Sequence, residues 1–405
     1  MVGEKFSQKN ISNLIRNILT LRYDPLQKTT LSVLKPTDFT STKNYDLNYI
    51  ENNLKSSIET TLESTKNLTI SLSGGIDSTL VLALIRKTYP DLKINAISIK
   101  FSNSTDETLI AKKIADFFEI EHEIINIENY LLDLPAAISI IGMPFWDIHW
   151  YYIAKNAKGK SNFLASGDGG DELFAGYTFR YSKFLSLIKP NSTPLEKIQS
   201  YLSCHERDWV PDQEKIFNLK SNFSWKSVNS IFKPFFDNSL SPLNQVFLAD
   251  YNGKLLYNFS IIGNKINQFF NLKPVTPILE PNLISYASQL SIGSKYDSTK
   301  NIGKLPLREL LVKYHCDSLV SKKKLGFSVN TINLWNSIGK DLCIHYLENS
   351  RIVEDGWINK EWISSHINNS NLDVRYVNKF LGLLALEIWY RLFITKEMNS
   401  KTRLS

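Results

Sequence analysis

Leu68-Thr69-Ile70-Ser71-Leu72-Ser73-Gly74-Gly75-Ile76-Asp77-Ser78 places two structural instructions back to back. The run 68–73 is apolar or small throughout, the pattern of a short strand buried on both faces. Gly74-Gly75 end it, and from Ser78 onward Leu80, Val81, Leu84 and Ile85 recur at helical spacing. A strand that passes through glycines into a helix brings backbone N–H groups and the positive end of a helix dipole to one point, the geometry of an anion site. Ser73 and Ser78 add hydroxyl donors. Asp77 is repelled by an anion unless a cation stands between them, so the loop is expected to hold phosphate together with Mg²⁺. It lacks the Gly-x-x-x-x-Gly-Lys-Ser/Thr pattern. Nor does Gly167-Asp168-Gly169 complete a dinucleotide fingerprint, because Glu172 stands where the last glycine would be.

Working outward, residues 94–101, 122–127 and 162–166 read as further strands, and 106–118, 130–140 and 148–157 as helices. Strands alternating with helices at this interval imply β-α-β units. The fold class expected is α/β, with a parallel sheet covered by helices on both faces and a mostly helical C-terminal region. Helical patterns near 11–21 and over 47–62 precede the first strand, and after Tyr181 strand signals fade. The chain therefore divides into an N-terminal extension (1–65), an α/β core (66–180) and a helical remainder (181–405). No fixed-period repeat is present.

Composition narrows the class. The 405 residues are 43% hydrophobic and 21% charged, which excludes wholesale disorder. No run approaches 18 apolar residues and the first residues carry no apolar leader, so no membrane association is expected. Cys204, Cys316 and Cys343 are odd in number and widely spaced, which argues against a disulfide framework and for a cytoplasmic setting. The net charge of +7 suits anionic small molecules. The six histidines show no metal-ligand spacing with the cysteines.

Ser73-Gly74-Gly75-Ile76-Asp77-Ser78 resembles the Ser-Gly-Gly-x-Asp-Ser signature of the PP-loop ATP pyrophosphatases. A second stretch, from Ser166-Gly167-Asp168-Gly169-Gly170-Asp171-Glu172 to Gly176-Tyr177, resembles the synthetase domain of the asparagine synthetase family. Lys304 to Glu309 is similar to that family's Lys-x-x-Leu-Arg segment, and Lys322 to Phe327 to its basic-x-Lys-x-Gly-Phe run. The resemblance spans about 60–330. It implies that ATP is cleaved between its α- and β-phosphates. Ser73, Gly74, Gly75, Asp77 and Ser78 would hold the phosphates that leave as pyrophosphate, and Asp77 with Asp171 would ligate Mg²⁺. Adenine would lie against the main chain near Ser71, Leu72 and Ile99, with Ser166 and Gly167 closing the site. Asp168 would stand beside the acyl-adenylate and the incoming amine. Lys304 would stabilise charge on the α-phosphate, with Arg308, Lys322 and Lys324 adding positive potential. Helix residues Trp146, Trp150, Tyr151 and Tyr152 read as core.

Two departures bear on the substrate. Val2 stands where glutamine-dependent members carry a nucleophilic cysteine, and the roughly 66 residues before the first strand are too few for a glutaminase fold. Nitrogen is therefore expected from free ammonia, another amine, or a separate glutaminase partner. Lys273-Pro274-Val275 replaces the family's Glu-x-Arg, and Met143 an acidic residue, which alters the expected acyl pocket. The function implied is an ATP-dependent ligase that adenylates a carboxylate, by default aspartate, and transfers it to nitrogen with release of AMP and pyrophosphate. A lactam- or macrolactam-forming enzyme of the same family is the nearest alternative. A sulfur-transfer or tRNA-modifying enzyme would require a cysteine near the site and a basic nucleic-acid face, and the cysteines lie outside 66–180.

Overall fold

In a computed structural model, the run at the opening loop becomes strand β1 (Asn67–Ser71), and it sits at the centre of a five-stranded parallel sheet. The structure describes residues 7–40, 42–63, 65–101, 106, 108–321, 329–369 and 371–405. The other strands are β2 (Lys93–Phe101), β3 (Glu121–Ile127), β4 (Phe163–Ala165) and β5 (Lys273–Val275), in the order β3-β2-β1-β4-β5. Register is fixed by pairs such as Ile70 with Ala96 on one side of β1 and Ile70 with Ala165 on the other.

Helices α1 (Gln8–Leu21) and α2 (Leu47–Leu62) precede the sheet. Helices α3 (Ile76–Thr88), α4 (Thr108–Phe117), α5 (Leu134–Ile141) and α6 (His149–Ala157) link its first four strands. Side chains on β2 alternate between two cores, as a period of two requires. Ile94 and Ala96 join a cluster with α2, α3 and α4, whereas Ile97, Ile99 and Phe101 join one with α1, α5, α6 and the twenty-residue helix Val374–Phe393. The sheet is thus covered on both faces.

The sequence places its sheet strands before residue 181, yet β5 comes from beyond it. Three residues with a proline in the middle give almost no strand signal, and proline is tolerated here because β5 is an edge strand. Both cores also draw on the 1–65 and 181–405 segments, so the three stretches pack as one body of side chains. Among the described residues no helix is long and apolar enough to cross a membrane.

Strand order reverses between β2 and β4 about β1. In an open α/β sheet this switch point leaves a crevice beyond the carboxyl ends of the strands. The loops after β1 and β4 both open into it.

Candidate active site

Ser71, at the end of β1, leads into a loop closed by its own hydroxyls. The Ser73 and Ser78 Oγ atoms lie 2.9 Å apart, and the Gly75 N–H donates to Ser73 Oγ at 3.2 Å. Gly75 caps α3, so the first turn of that helix, with Asp77 on it, lines the crevice with the positive end of the helix dipole. From β4, Ser166 and Gly167 run into the short helical turn Gly170–Leu173, which carries Asp171.

Lys304 joins these two loops. Its Nζ lies 2.5 Å from Asp77 Oδ2 and 2.7 Å from Asp171 Oδ1, with the lysine side chain only 10% exposed. Burial alone would lower the Lys304 pKa, but the two carboxylates outweigh it and hold the ammonium charged well above its ordinary range. Lys304 caps the helix Leu305–Lys313 with φ +59°, a left-handed conformation that a lysine adopts only under constraint. Its N–H donates to Phe174 O at 2.7 Å, tying it to the turn that bears Asp171.

Two glycines make room for this arrangement. A Cβ on Gly170 would stand 2.2 Å from Asp77 Oδ1, and one on Gly176 would stand 1.8 Å from Asp171 Oδ1. The two glycines leave room for both carboxylates to reach the Lys304 ammonium. Two carboxylates completed by phosphate oxygens are the usual protein share of a Mg²⁺ site. Among the described residues no group of three or more His, Cys, Asp or Glu side chains forms a metal cage.

Asp77, Asp171 and Lys304 line a cleft of about 380 Å³ with Ser71, Ser73, Gly75, Ser78, Ser166, Gly167 and Asp168. Asp168 lines the cleft with its side chain exposed to it. Desolvation by the protein around it raises its pKa, against the hydrogen bond from Ser166 Oγ (2.7 Å) and the nearby His149, both of which favour the anion. Arg308 lines the same cleft and donates from Nε to Gly303 O at 2.9 Å. Burial lowers its pKa, with Asp77 opposing.

Three expected residues lie elsewhere. Leu72 and Ile99 are 0% and 4% exposed within the two cores, and neither lines the cleft. The Leu72 main chain is engaged by the sheet, its N–H with Ile97 O at 2.9 Å and its carbonyl with Ser98 Oγ at 2.6 Å. Gly74 is buried beside Ile110, and its carbonyl accepts the Ser321 N–H. Lys322 and Lys324 lie outside the described residues. Of the substrate-pocket departures, Lys273 is exposed, and Val275 and Met143 are buried in the cores.

Trp150, expected in the core, is instead half-buried and lines the cleft at the start of α6. The structure also adds His149 and Phe259, cleft-lining residues that sequence patterns did not single out. His149 Nδ1 lies 3.0 Å from Asp147 Oδ1. Burial would lower the His149 pKa, but Asp147 outweighs it and the net shift is upward. Arg180 stacks 3.5 Å over the Tyr177 ring and pairs with Asp250 at 3.3 Å, and Tyr177 Oη donates to Glu172 at 2.5 Å. Tyr177 and Glu172 line the cleft, so this network braces the wall that carries Asp171. The three cysteines are free, and none of them lines the cleft. Burial pushes the Cys204 and Cys316 thiols up to about 11.

The family model described as asparagine synthase matches residues 49–391 of the chain. An asparagine synthetase (glutamine-hydrolyzing) of Bacillus subtilis is 26% identical over 359 residues, covering 78% of this chain and 51% of that protein. A putative asparagine synthetase (glutamine-hydrolyzing) of Mycobacterium tuberculosis is 24% identical over 302 residues, covering 66% and 46%. The chain thus spans about half the length of the curated relatives it matches. Among solved structures, NMN synthetase from Francisella tularensis aligns with a TM-score of 0.26 at 15% identity, over 52% of this chain and 94% of that one.

Proposed function

The chain belongs to the asparagine synthase family, and from that premise we propose that it is an ATP-dependent ligase that adenylates a carboxylic acid and passes the acyl group to nitrogen. The observation that carries this reading is the Lys304 ammonium set between Asp77 and Asp171 at the switch point of the sheet. Ser73, Ser78 and the N–H groups at the start of α3 receive the phosphates that depart as pyrophosphate. A Mg²⁺ ion fits the two converging carboxylates, and when bound it would offset charge on those phosphates.

The carboxylate oxygen attacks the α-phosphorus and the bond to the bridging oxygen of pyrophosphate breaks. Negative charge then grows on the equatorial α-phosphate oxygens, where Lys304 and Arg308 supply fixed positive charge. Asp168, with its raised pKa, takes the proton that the nitrogen nucleophile sheds as it attacks the acyl carbon and AMP leaves. Ser71, Ser166 and Gly167 frame the nucleoside end of the cleft. A sulfur-transfer reading is disfavoured, because no thiol lines the cleft and burial keeps the cysteines protonated.

The curated relatives' names make aspartate the first carboxylate to assay, with ammonium and glutamine as separate nitrogen sources. Incubation with ATP, Mg²⁺ and a carboxylate should give AMP and pyrophosphate in equal amounts, dependent on the carboxylate. Formation of ADP and phosphate instead would overturn the proposal.

A further inference from the structure

Strand β1 stops at Ser71, yet the peptide just beyond it is held on both sides. The Leu72 carbonyl accepts the Ser98 hydroxyl at 2.6 Å, and the Ser73 N–H donates to Ser78 Oγ at 3.2 Å. One peptide plane, between Leu72 and Ser73, is thus clamped between β2 and the first turn of α3. The Ser73 and Ser78 hydroxyls, 2.9 Å apart, take their places from it. Those are the hydroxyls assigned above to the departing phosphates.

Ser98 has a further partner. His122, on β3, places its Nε2 2.8 Å from Ser98 Oγ. In the register of β2 with β3, Ser98 stands opposite Ile124 and His122 opposite Ala96, so the two side chains meet on the diagonal of one sheet face. Two oxygens in contact need a hydrogen between them, and a carbonyl has none. The Ser98 proton therefore lies toward Leu72 O, and the serine oxygen accepts from His122 Nε2–H. The imidazole, the hydroxyl and the Leu72 carbonyl form one directed chain of hydrogen bonds.

His122 holds its place against an unfavourable burial. Its Nδ1 is buried with no hydrogen-bond partner among the described residues. A leucine or phenylalanine would cover the same surface without stranding a polar atom. Burial, with Lys112 nearby, lowers the His122 pKa against the pull of Asp116, so the ring is neutral at physiological pH. What the histidine supplies in return is the Nε2–H on Ser98. Neither side chain lines the cleft, and Ser98 is 1% exposed.

We propose that His122 is a positioning residue of the phosphate loop: through Ser98 it sets the Leu72–Ser73 peptide, and with it the Ser73 and Ser78 groups that receive pyrophosphate. The assignment rests on the placement of the phosphates in the ligase reading above. Titration calorimetry with magnesium pyrophosphate and, separately, with AMP tests it, alongside carboxylate-dependent pyrophosphate exchange. His122→Leu removes the donor, whereas His122→Gln keeps a side-chain N–H of similar reach. His122→Leu should weaken pyrophosphate about fivefold, the effect of one lost hydrogen bond, and leave AMP within twofold. His122→Gln should return pyrophosphate affinity to within twofold of wild type.

Ser98→Ala should match His122→Leu, and it reads the same chain should the leucine variant not fold. The double variant should be no weaker than either single one, because both cut one chain. AMP and pyrophosphate weakening together in step with melting temperature, without rescue by glutamine, would overturn the assignment. So would a pyrophosphate affinity indifferent to both His122→Leu and Ser98→Ala. Either result leaves the ligase reading standing as long as the wild type shows carboxylate-dependent exchange. A wild type that binds pyrophosphate but shows no such exchange overturns the ligase reading alone, and one that binds neither pyrophosphate nor AMP overturns both.

Discussion

Replacing Lys304 with methionine keeps the length of the side chain and removes the one cation that lies between Asp77 and Asp171. The two carboxylates, each within 2.7 Å of the lost nitrogen, then face each other no more than about 5 Å apart. At an effective dielectric constant of about 20 their repulsion is about 3 kcal/mol. Breaking a buried ion pair gives a similar figure, taken at the low end because Asp171 is 22% exposed. For a chain of this length that loss lowers the melting temperature by about 3–4 °C. Mg²⁺ at millimolar concentration should restore part of it, since a divalent ion satisfies the same two carboxylates. Turnover should fall further than stability does, on the order of 10²–10³, because fixed positive charge at the α-phosphate acts mainly in the transition state. Scanning calorimetry with and without Mg²⁺, and carboxylate-dependent AMP formation on the same sample, check both halves. A Lys304→Met protein that melts with the wild type and keeps turnover within fivefold would refute the reasoning.

Other substitutions separate the steps. Asp168→Asn should leave carboxylate-dependent pyrophosphate exchange in place while amide formation drops about 10²-fold or more, as expected when a general base is lost. Because desolvation raises the Asp168 pKa, amide formation in the wild type should decline with falling pH before exchange does, and a pH profile of both rates reads this directly. Gly176→Ala forces a methyl group into Asp171 and Lys304, so it should cost about 1–3 kcal/mol by denaturant titration and most of the activity. His149 has a folded pKa above its unfolded value of about 6.5, so its stabilisation is complete below that pH and fades as pH rises through the folded value. Melting temperatures compared between wild type and His149→Gln across pH 6 to 9 should converge toward the alkaline end.

The parts of the site legible in the sequence are those encoded locally. The loop after β1 and the turn after β4 each hold their glycines, serines and carboxylates within a dozen residues, so their chemistry survives translation into one dimension. Lys304 was legible through its Leu307-Arg308 context, though its left-handed backbone and its hold on both carboxylates were not. Leu72 and Ile99 face the cores because strand alternation places them there, which apolar identity alone does not disclose. β5 escaped notice because an edge strand of three residues is defined by its pairing with β4 about 110 residues earlier. His149 beside Asp147 matches no motif spacing. A second chamber beside Asp168 is assembled from five distant stretches, near residues 30, 150, 166, 263 and 276, and no local pattern announces it.

The central claim is that the carboxylate itself attacks the α-phosphorus of ATP. Turnover with a carboxylate labelled with ¹⁸O in both oxygens tests it, with mass analysis of the products. One labelled oxygen per molecule should appear in the phosphate of AMP and none in pyrophosphate. Unlabelled AMP, or label recovered in pyrophosphate or inorganic phosphate, would contradict the account.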